Sequence, residues 1–211
     1  MKMESAVPEN RRPLKSRSTA WAQYLAGVLV RTGASPNWIS TLSICFAALG
    51  AALLLRSPTP SALLGAALCI QLRLLCNLLD GMVAIEGGRK SAVGALYNEI
   101  PDRIADSLLI VALGYAAGLA IVGWYAALAA ALTAYIRVLG GSLGQAQDFR
   151  GPMAKPQRMA VATLACVAAA LEQPLLGSHW ALVAAAWIIA VGATFTCATR
   201  TAAIARRLRA P

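Results

Sequence analysis

Long apolar runs fill most of the chain, and short polar breaks divide them. Residues 37–55 carry no charge and stop at the turn Ser57-Pro58-Thr59-Pro60. Further runs follow at 61–85, 91–116, 123–143, 158–171 and 180–205, broken by the polar stretch 86–90, a turn within 118–123 and a polar loop over 144–157. Crossing a hydrocarbon core of about 30 Å takes roughly 20 helical residues. The pattern therefore predicts six transmembrane helices, the fifth needing its polar N-terminal turn at the interface. Ahead of them, Trp21, Tyr24, Leu25, Val28 and Leu29 recur at helical spacing. They predict an amphipathic helix that either lies on the membrane surface or packs on the bundle. The expected fold is all-α and polytopic, with a basic segment at 1–17, an interfacial helix and turn at 18–36, and a six-helix transmembrane domain at 37–211.

Composition strengthens this picture. The 211 residues are 58% hydrophobic and 13% charged, where a soluble domain carries about 25% charged residues. The net charge of +10 does not indicate a nucleic-acid partner, because Lys and Arg gather at the edges of the apolar runs, facing an anionic leaflet. With the N-terminus inside, Arg56 alone falls on the outer side, while Lys2, Arg11, Arg31, Arg89, Lys90, Arg150, Arg200 and Arg207 fall on the inner one. The asymmetry orients both termini towards the cytoplasm, as in a bacterial inner-membrane protein. No cleavable signal peptide is expected in residues 1–20, which lack an apolar core. The five Cys residues form no CxxC pair and read as small packing groups.

Acidic residues are scarce and unevenly placed. Of nine in the chain, Asp80, Glu86, Glu99, Asp102 and Asp106 fall within 27 positions. A charge at mid-bilayer depth costs about 2.5–3.5 kcal/mol on insertion scales, so such residues face one another, a cavity or a cation. Asn77, Asp80, Gly81 and Ala84 share one face of the second predicted helix, and Gly94, Asn98, Asp102 and Asp106 share one face of the third. Antiparallel neighbours joined by a five-residue loop bring those faces together. The resulting oxygen ligands suit Mg²⁺, Mn²⁺ or Ca²⁺ rather than zinc. Ion conduction would spread acids along a path through the bilayer; here they cluster towards one side.

This frame resembles the signature of the CDP-alcohol phosphatidyltransferases, D-x2-D-G-x2-A-R-x8-G-x3-D-x3-D. The chain reads Asn77-x2-Asp80-Gly81-x2-Ala84-Ile85-x8-Gly94-x3-Asn98-x3-Asp102, with every spacing kept and five of eight positions identical. The segment Ser35-Pro36-Asn37-Trp38-Ile39-Ser40 is similar to the family's entry into its first helix. The resemblance implies a transferase that makes phospholipid by moving a phosphatidyl group from CDP-diacylglycerol to a small hydroxylated acceptor, releasing CMP. It implies Asn77, Asp80, Asn98 and Asp102 as ligands of a pair of divalent metals, Mg²⁺ or Mn²⁺. Asp102 is also the implied general base, and Gly81, Ala84 and Gly94 the frame for the cytidine diphosphate. It further implies a homodimer.

The departures change the charge of the site. Asn77 and Asn98 bring oxygen but no charge, and Ile85 replaces an arginine. Metal affinity then falls unless something compensates, and Glu86, Glu99 and Asp106 are the candidate compensating acids. Two readings follow: a variant transferase compensated by glutamate, or a metal- or nucleotide-binding bundle that has lost phosphatidyl transfer. On the acceptor side, Lys155 and Arg158 at a helix entry, with Arg137 inside the fourth predicted helix, either form an anion pocket for a phosphate-bearing acceptor such as glycerol 3-phosphate or an inositol-type alcohol, or, for Lys155 and Arg158, serve as ordinary membrane anchors. Gly114-x3-Gly118 and Gly140-x3-Gly144 suit close helix contacts within or between chains.

Overall fold

A computed structural model describes residues 19–56, 59–88 and 93–209, apart from the side chain of Ala95. The basic segment 1–17 and the anchors Arg89 and Lys90 lie outside the described residues. Seven helices follow one another: α1 Ala20–Arg31, α2 Pro36–Leu55, α3 Pro60–Glu86, α4 Gly94–Ala116, α5 Ala120–Ser142, α6 Lys155–Leu176 and α7 Trp180–Arg209. Their starts carry recognisable signals. Pro36 and Pro60 stand at the first helical position, where proline's fixed φ is already helical and its missing N–H costs nothing. Thr59 caps α3 by accepting from the Ala62 N–H at 3.3 Å.

The expectation of six spanning helices is corrected to five. Among the described residues, α2, α3, α5, α6 and α7 are long and apolar enough to cross a membrane. The helix at fault is α4, which has 23 residues. Glu99, Asp102, Arg103 and Asp106 fall within its first thirteen residues, leaving 107–116 as the longest uncharged run. Its apolar second half made the whole segment look like one span. The fifth predicted helix was read too short: α6 runs from Lys155 to Leu176.

Around α4 the chain closes on itself. α2 packs on α3 and α4, α5 on α4 and α7, and α6 on α3 and α7. The shared core is mostly alanine, with Leu54, Leu63, Ile70, Leu109, Leu113, Leu182 and Ile189 filling the gaps. Small side chains let helix backbones approach closely, which is how helices gain contact in lipid. The extreme case is α4 against α5, where a Cβ on Gly114 would sit 2.4 Å from Gly123 Cα. Gly140 likewise faces Ile204 of α7. Both glycines therefore make contacts within the chain, and their partners Gly118 and Gly144 instead terminate helices at positive φ.

Two further features position the site. α1 lies on α3 through Ala22 and Ala26, both fully buried, while Trp21, Tyr24 and Val28 stay exposed. The loop 143–154 is fastened to α7: Met153 N–H donates to Thr196 Oγ1 at 3.0 Å, and Arg200 Nε donates to the Arg150 carbonyl at 2.9 Å. Gly151, at φ +118°, passes so near Thr196 that a Cβ there would lie 2.4 Å from its Cγ2.

Candidate active site

Side chains from six helices, five of them contributing polar groups, meet at one cavity of about 590 Å³. α3 contributes Asn77, Asp80 and Gly81; α4 contributes Asn98, Glu99, Asp102 and Arg103; α5 contributes Thr133 and Arg137. Lys155 and Arg158 enter from α6, Arg200 from α7, Phe149 from the loop, and Trp21 from α1. The i, i+3, i+4 spacing on α3 and α4 accounts for the first two groups. The fastened loop sets where α6 begins, and so places Lys155.

Asp102 stands at the centre, surrounded by donors. Asn77 Nδ2 and Arg73 Nη2 reach its Oδ1, the latter at 3.5 Å, and Lys155 Nζ donates to Oδ2. Arg103 Nη2 lies 3.7 Å from the same Oδ2. One turn further along α4, Asp106 is gripped by Arg73 Nη2 at 2.5 Å and Arg158 Nη2 at 2.8 Å. Arg73 and Arg158 are almost completely buried, so this ion-paired cluster ties α3, α4 and α6 together inside the protein. A buried charge persists only when paired and hydrogen-bonded in this way.

Asp80 is different. It is 5% exposed and accepts a hydrogen bond from Ser40 Oγ at 2.5 Å, yet among the described residues it makes no ion pair. On the far wall, Arg137 donates to Glu99 Oε1 and to Gln147 Oε1, and its guanidinium lies 5.4 Å above the Phe149 ring. Arg200 Nη1 donates to the Thr133 carbonyl at 2.6 Å. The cavity wall thus carries three carboxylates and five cations, a balance that calls for an anionic ligand.

Residues 34–197 match the CDP-alcohol phosphatidyltransferase family. The chain belongs to that family. Among its relatives, the phosphatidylinositol phosphate synthase of Streptomyces avermitilis is 29% identical over 189 residues, 86% of this chain and 76% of that protein. The archaetidylinositol phosphate synthase of Aeropyrum pernix is 39% identical over 150 residues, 70% of this chain and 73% of that one. The fold is shared with the phosphatidylinositol phosphate synthase of Mycobacterium tuberculosis. Its CDP-DAG-bound structure has a TM-score of 0.69 and 22% identity, covering 87% of this chain and 92% of that one. Its complex with manganese and citrate has a TM-score of 0.70 at the same identity, covering 87% and 88%. This chain is accordingly a CDP-alcohol phosphatidyltransferase embedded in a membrane.

Within this phosphatidyltransferase, the residues singled out from sequence divide into two groups. Asn77, Asp80, Gly81, Asn98, Glu99, Asp102, Arg137, Lys155 and Arg158 line the cavity. Ala84, Gly94, Glu86 and Asp106 do not. Glu86 ends α3 and is exposed, and Asp106 sits behind the wall on its two arginines. Glu99 lines the wall with its carboxylate on Arg137. Arg103, Gln147, Phe149 and Thr133 carry no sequence signal for the site, Trp21 carries only that of the amphipathic helix, and Arg200 that of a membrane anchor. The further signal for Arg200 is its place as the one charge between Trp180 and Ile204 of α7, where a charge needs a partner.

The donor set fits a hard divalent cation. No three His, Cys, Asp or Glu side chains form a ready cage among the described residues. The available oxygens come instead from Asp80 and from the amides of Asn77 and Asn98, each of which presents oxygen or nitrogen by a half-turn of its last bond. Asp80, a buried carboxylate whose hydrogen-bond partners are the neutral Ser40 hydroxyl and Gly81 backbone N–H, is the observation that favours a cation here.

Proposed function

We propose that this transferase moves a phosphatidyl group from CDP-diacylglycerol to a phosphate-bearing polyol of the inositol phosphate class, releasing CMP. The observation that carries the reading is the gathering of Arg137, Lys155, Arg158 and Arg200 into the cavity that also holds Asp80 and Asp102. A neutral alcohol has no use for such a wall, whereas a phosphate monoester matches it. Two relatives named for inositol phosphate products support the choice.

In this reading the donor's diphosphate lies between α3 and α4, where Gly81 leaves the α3 backbone open. Asp80, with the amides of Asn77 and Asn98, would hold Mg²⁺ or Mn²⁺, and the manganese in the Mycobacterium tuberculosis enzyme supports that assignment. Bound there, the cation would neutralise charge developing on the leaving CMP. Arg137, Lys155, Arg158 and Arg200 seat the acceptor's phosphate and aim its hydroxyl. Asp102 takes the hydroxyl proton as oxygen attacks the lipid-linked phosphorus. Trp21 on α1 shields the cavity from water. The site and both termini face the cytoplasm by the positive-inside rule, in an inner membrane of bacterial type. A homodimer is proposed on family resemblance.

The test is CMP release by the purified chain in nanodiscs with CDP-diacylglycerol and Mg²⁺. Inositol phosphate should support turnover at least about tenfold above free inositol, with glycerol 3-phosphate as the competing phosphorylated acceptor. Equal rates with the phosphorylated and free alcohols would refute the phosphate pocket.

A further inference from the structure

We infer that the site is built for a single divalent cation at Asp80, and that the Lys155 ammonium supplies the charge a second cation would bring at Asp102. The two carboxylates of the signature frame have opposite surroundings. Asp80 is buried, meets only neutral donors, the Ser40 hydroxyl and the Gly81 backbone N–H, and faces the cavity. Asp102 is also buried, but both of its oxygens already face donors: Asn77 and Arg73 at Oδ1, Lys155 and Arg103 at Oδ2.

A second dication at Asp102 would have to displace Lys155 and then sit beside it and Arg73. Repulsion between such charges at contact range is steep in a partly dry site. Nor does the rest of the frame supply counter-charge. Asn77 and Asn98 are neutral, Glu99 is held by Arg137, and Asp106 is held by Arg73 and Arg158. Lys155 is no adventitious surface lysine. It opens α6 directly after a loop fastened to α7 at Thr196 and Arg200, and its side chain is 23% exposed. The missing negative charge at Asn77 and Asn98 and the ammonium of Lys155 held against Asp102 thus act in the same direction, against a second cation. The reacting phosphates, donor and acceptor together, meet one exchangeable metal ion and one positive charge covalently tied to the chain.

The inference rests on the transfer reading for the identity of the diphosphate ligand, and the experiment separates the two. The full chain in nanodiscs, saturated with CDP, is titrated with Mn²⁺, and bound ions are counted by electron paramagnetic resonance. One isolated Mn²⁺ per chain is expected. Two ions, a spin-coupled pair, or no bound ion would overturn the inference. Asn98→Asp alone is expected to stay at one ion, while Asn98→Asp combined with Lys155→Met rises to two. A second ion in the single variant, or none gained in the folded double variant, also overturns it. If the double variant does not fold, the wild-type count decides. CMP release from the same preparation judges the transfer reading: turnover with two ions defeats only the single-cation inference, and one ion without turnover on any acceptor defeats only the transfer.

Discussion

Lys155 and Asp102 are 53 residues apart in sequence, yet the Lys155 ammonium donates directly to Oδ2 of Asp102. The contact joins the half of the site carried by α3 and α4 to the half carried by α5, α6 and α7. Removing the charge should therefore affect chemistry more than folding. Lys155→Met is expected to lower kcat/KM by about 10²-fold, the scale of losing one preorganised charge at a reacting phosphate. Lys155→Arg should recover only part of it, because a planar fork replaces a point charge. Steady-state CMP release checks both, with the thermal midpoint in detergent expected to move little.

Asp106 has the opposite character. Its carboxylate is the shared partner of Arg73 and Arg158, both almost fully buried. Asp106→Ala leaves Arg158 without a carboxylate and Arg73 with only the 3.5 Å contact to the Asp102 carboxylate, and breaking a buried pair typically costs about 3–5 kcal/mol. The expected result is a large fall in unfolding stability and poor yield of folded protein. An Asp106→Ala protein of normal stability would show that the cluster does not hold α3, α4 and α6 together.

The α4–α5 contact gives a steric prediction. Gly114→Ala places a Cβ 2.4 Å from the Gly123 backbone, so the helices must separate, at about 1–3 kcal/mol. Gly27→Ala in α1 meets nothing within 4 Å and serves as the control. Thermal unfolding of the two variants should differ clearly, with Gly27→Ala at or above wild type, since alanine is the better helix former.

Loop 143–154 should loosen in acid. Burial of Asp148 would raise its carboxyl pKa, but hydrogen bonds from the Arg150 backbone and side chain, with the charges of Arg150 and Arg207, outweigh it and hold the group below the ordinary range. A carboxylate depressed in the folded state stabilises fully above the unfolded value, about 3.9, and loses that contribution as pH falls through the folded value. The gap in thermal midpoint between wild type and Asp148→Asn should be constant from about pH 7 to 5 and close below about pH 4. A gap unchanged at low pH would contradict the pairing.

How much of this was legible in sequence follows from what is local. The faces Asn77-Asp80-Gly81 and Asn98-Asp102 were readable because each lies on one helix at i+3 or i+4 spacing, and the family frame fixed their register. The partners of those residues were not. Arg103, Gln147, Phe149 and Arg200 reach the cavity through packing between helices, which no local spacing encodes. Arg73 stands one turn before Asn77 on α3, but its service to both Asp102 and Asp106 depends on how α4 packs against that face. The number of spans failed for a different reason: the charges in the first half of α4 are visible in the sequence, but its apolar second half stood for the whole helix. The close approach of Gly114 to Gly123 was half visible, as a glycine spaced for contact without its partner.

The most direct test is acceptor-dependent CMP release from CDP-diacylglycerol by wild type and Asp102→Asn in matched nanodisc preparations. Wild type should turn over with a phosphorylated acceptor and Mg²⁺, and the folded variant should be slower by about 10²–10⁴-fold, the range for losing a general base. Wild-type protein that releases no CMP, or a variant that keeps the wild-type rate, would contradict the assignment of this cavity as the site of phosphatidyl transfer.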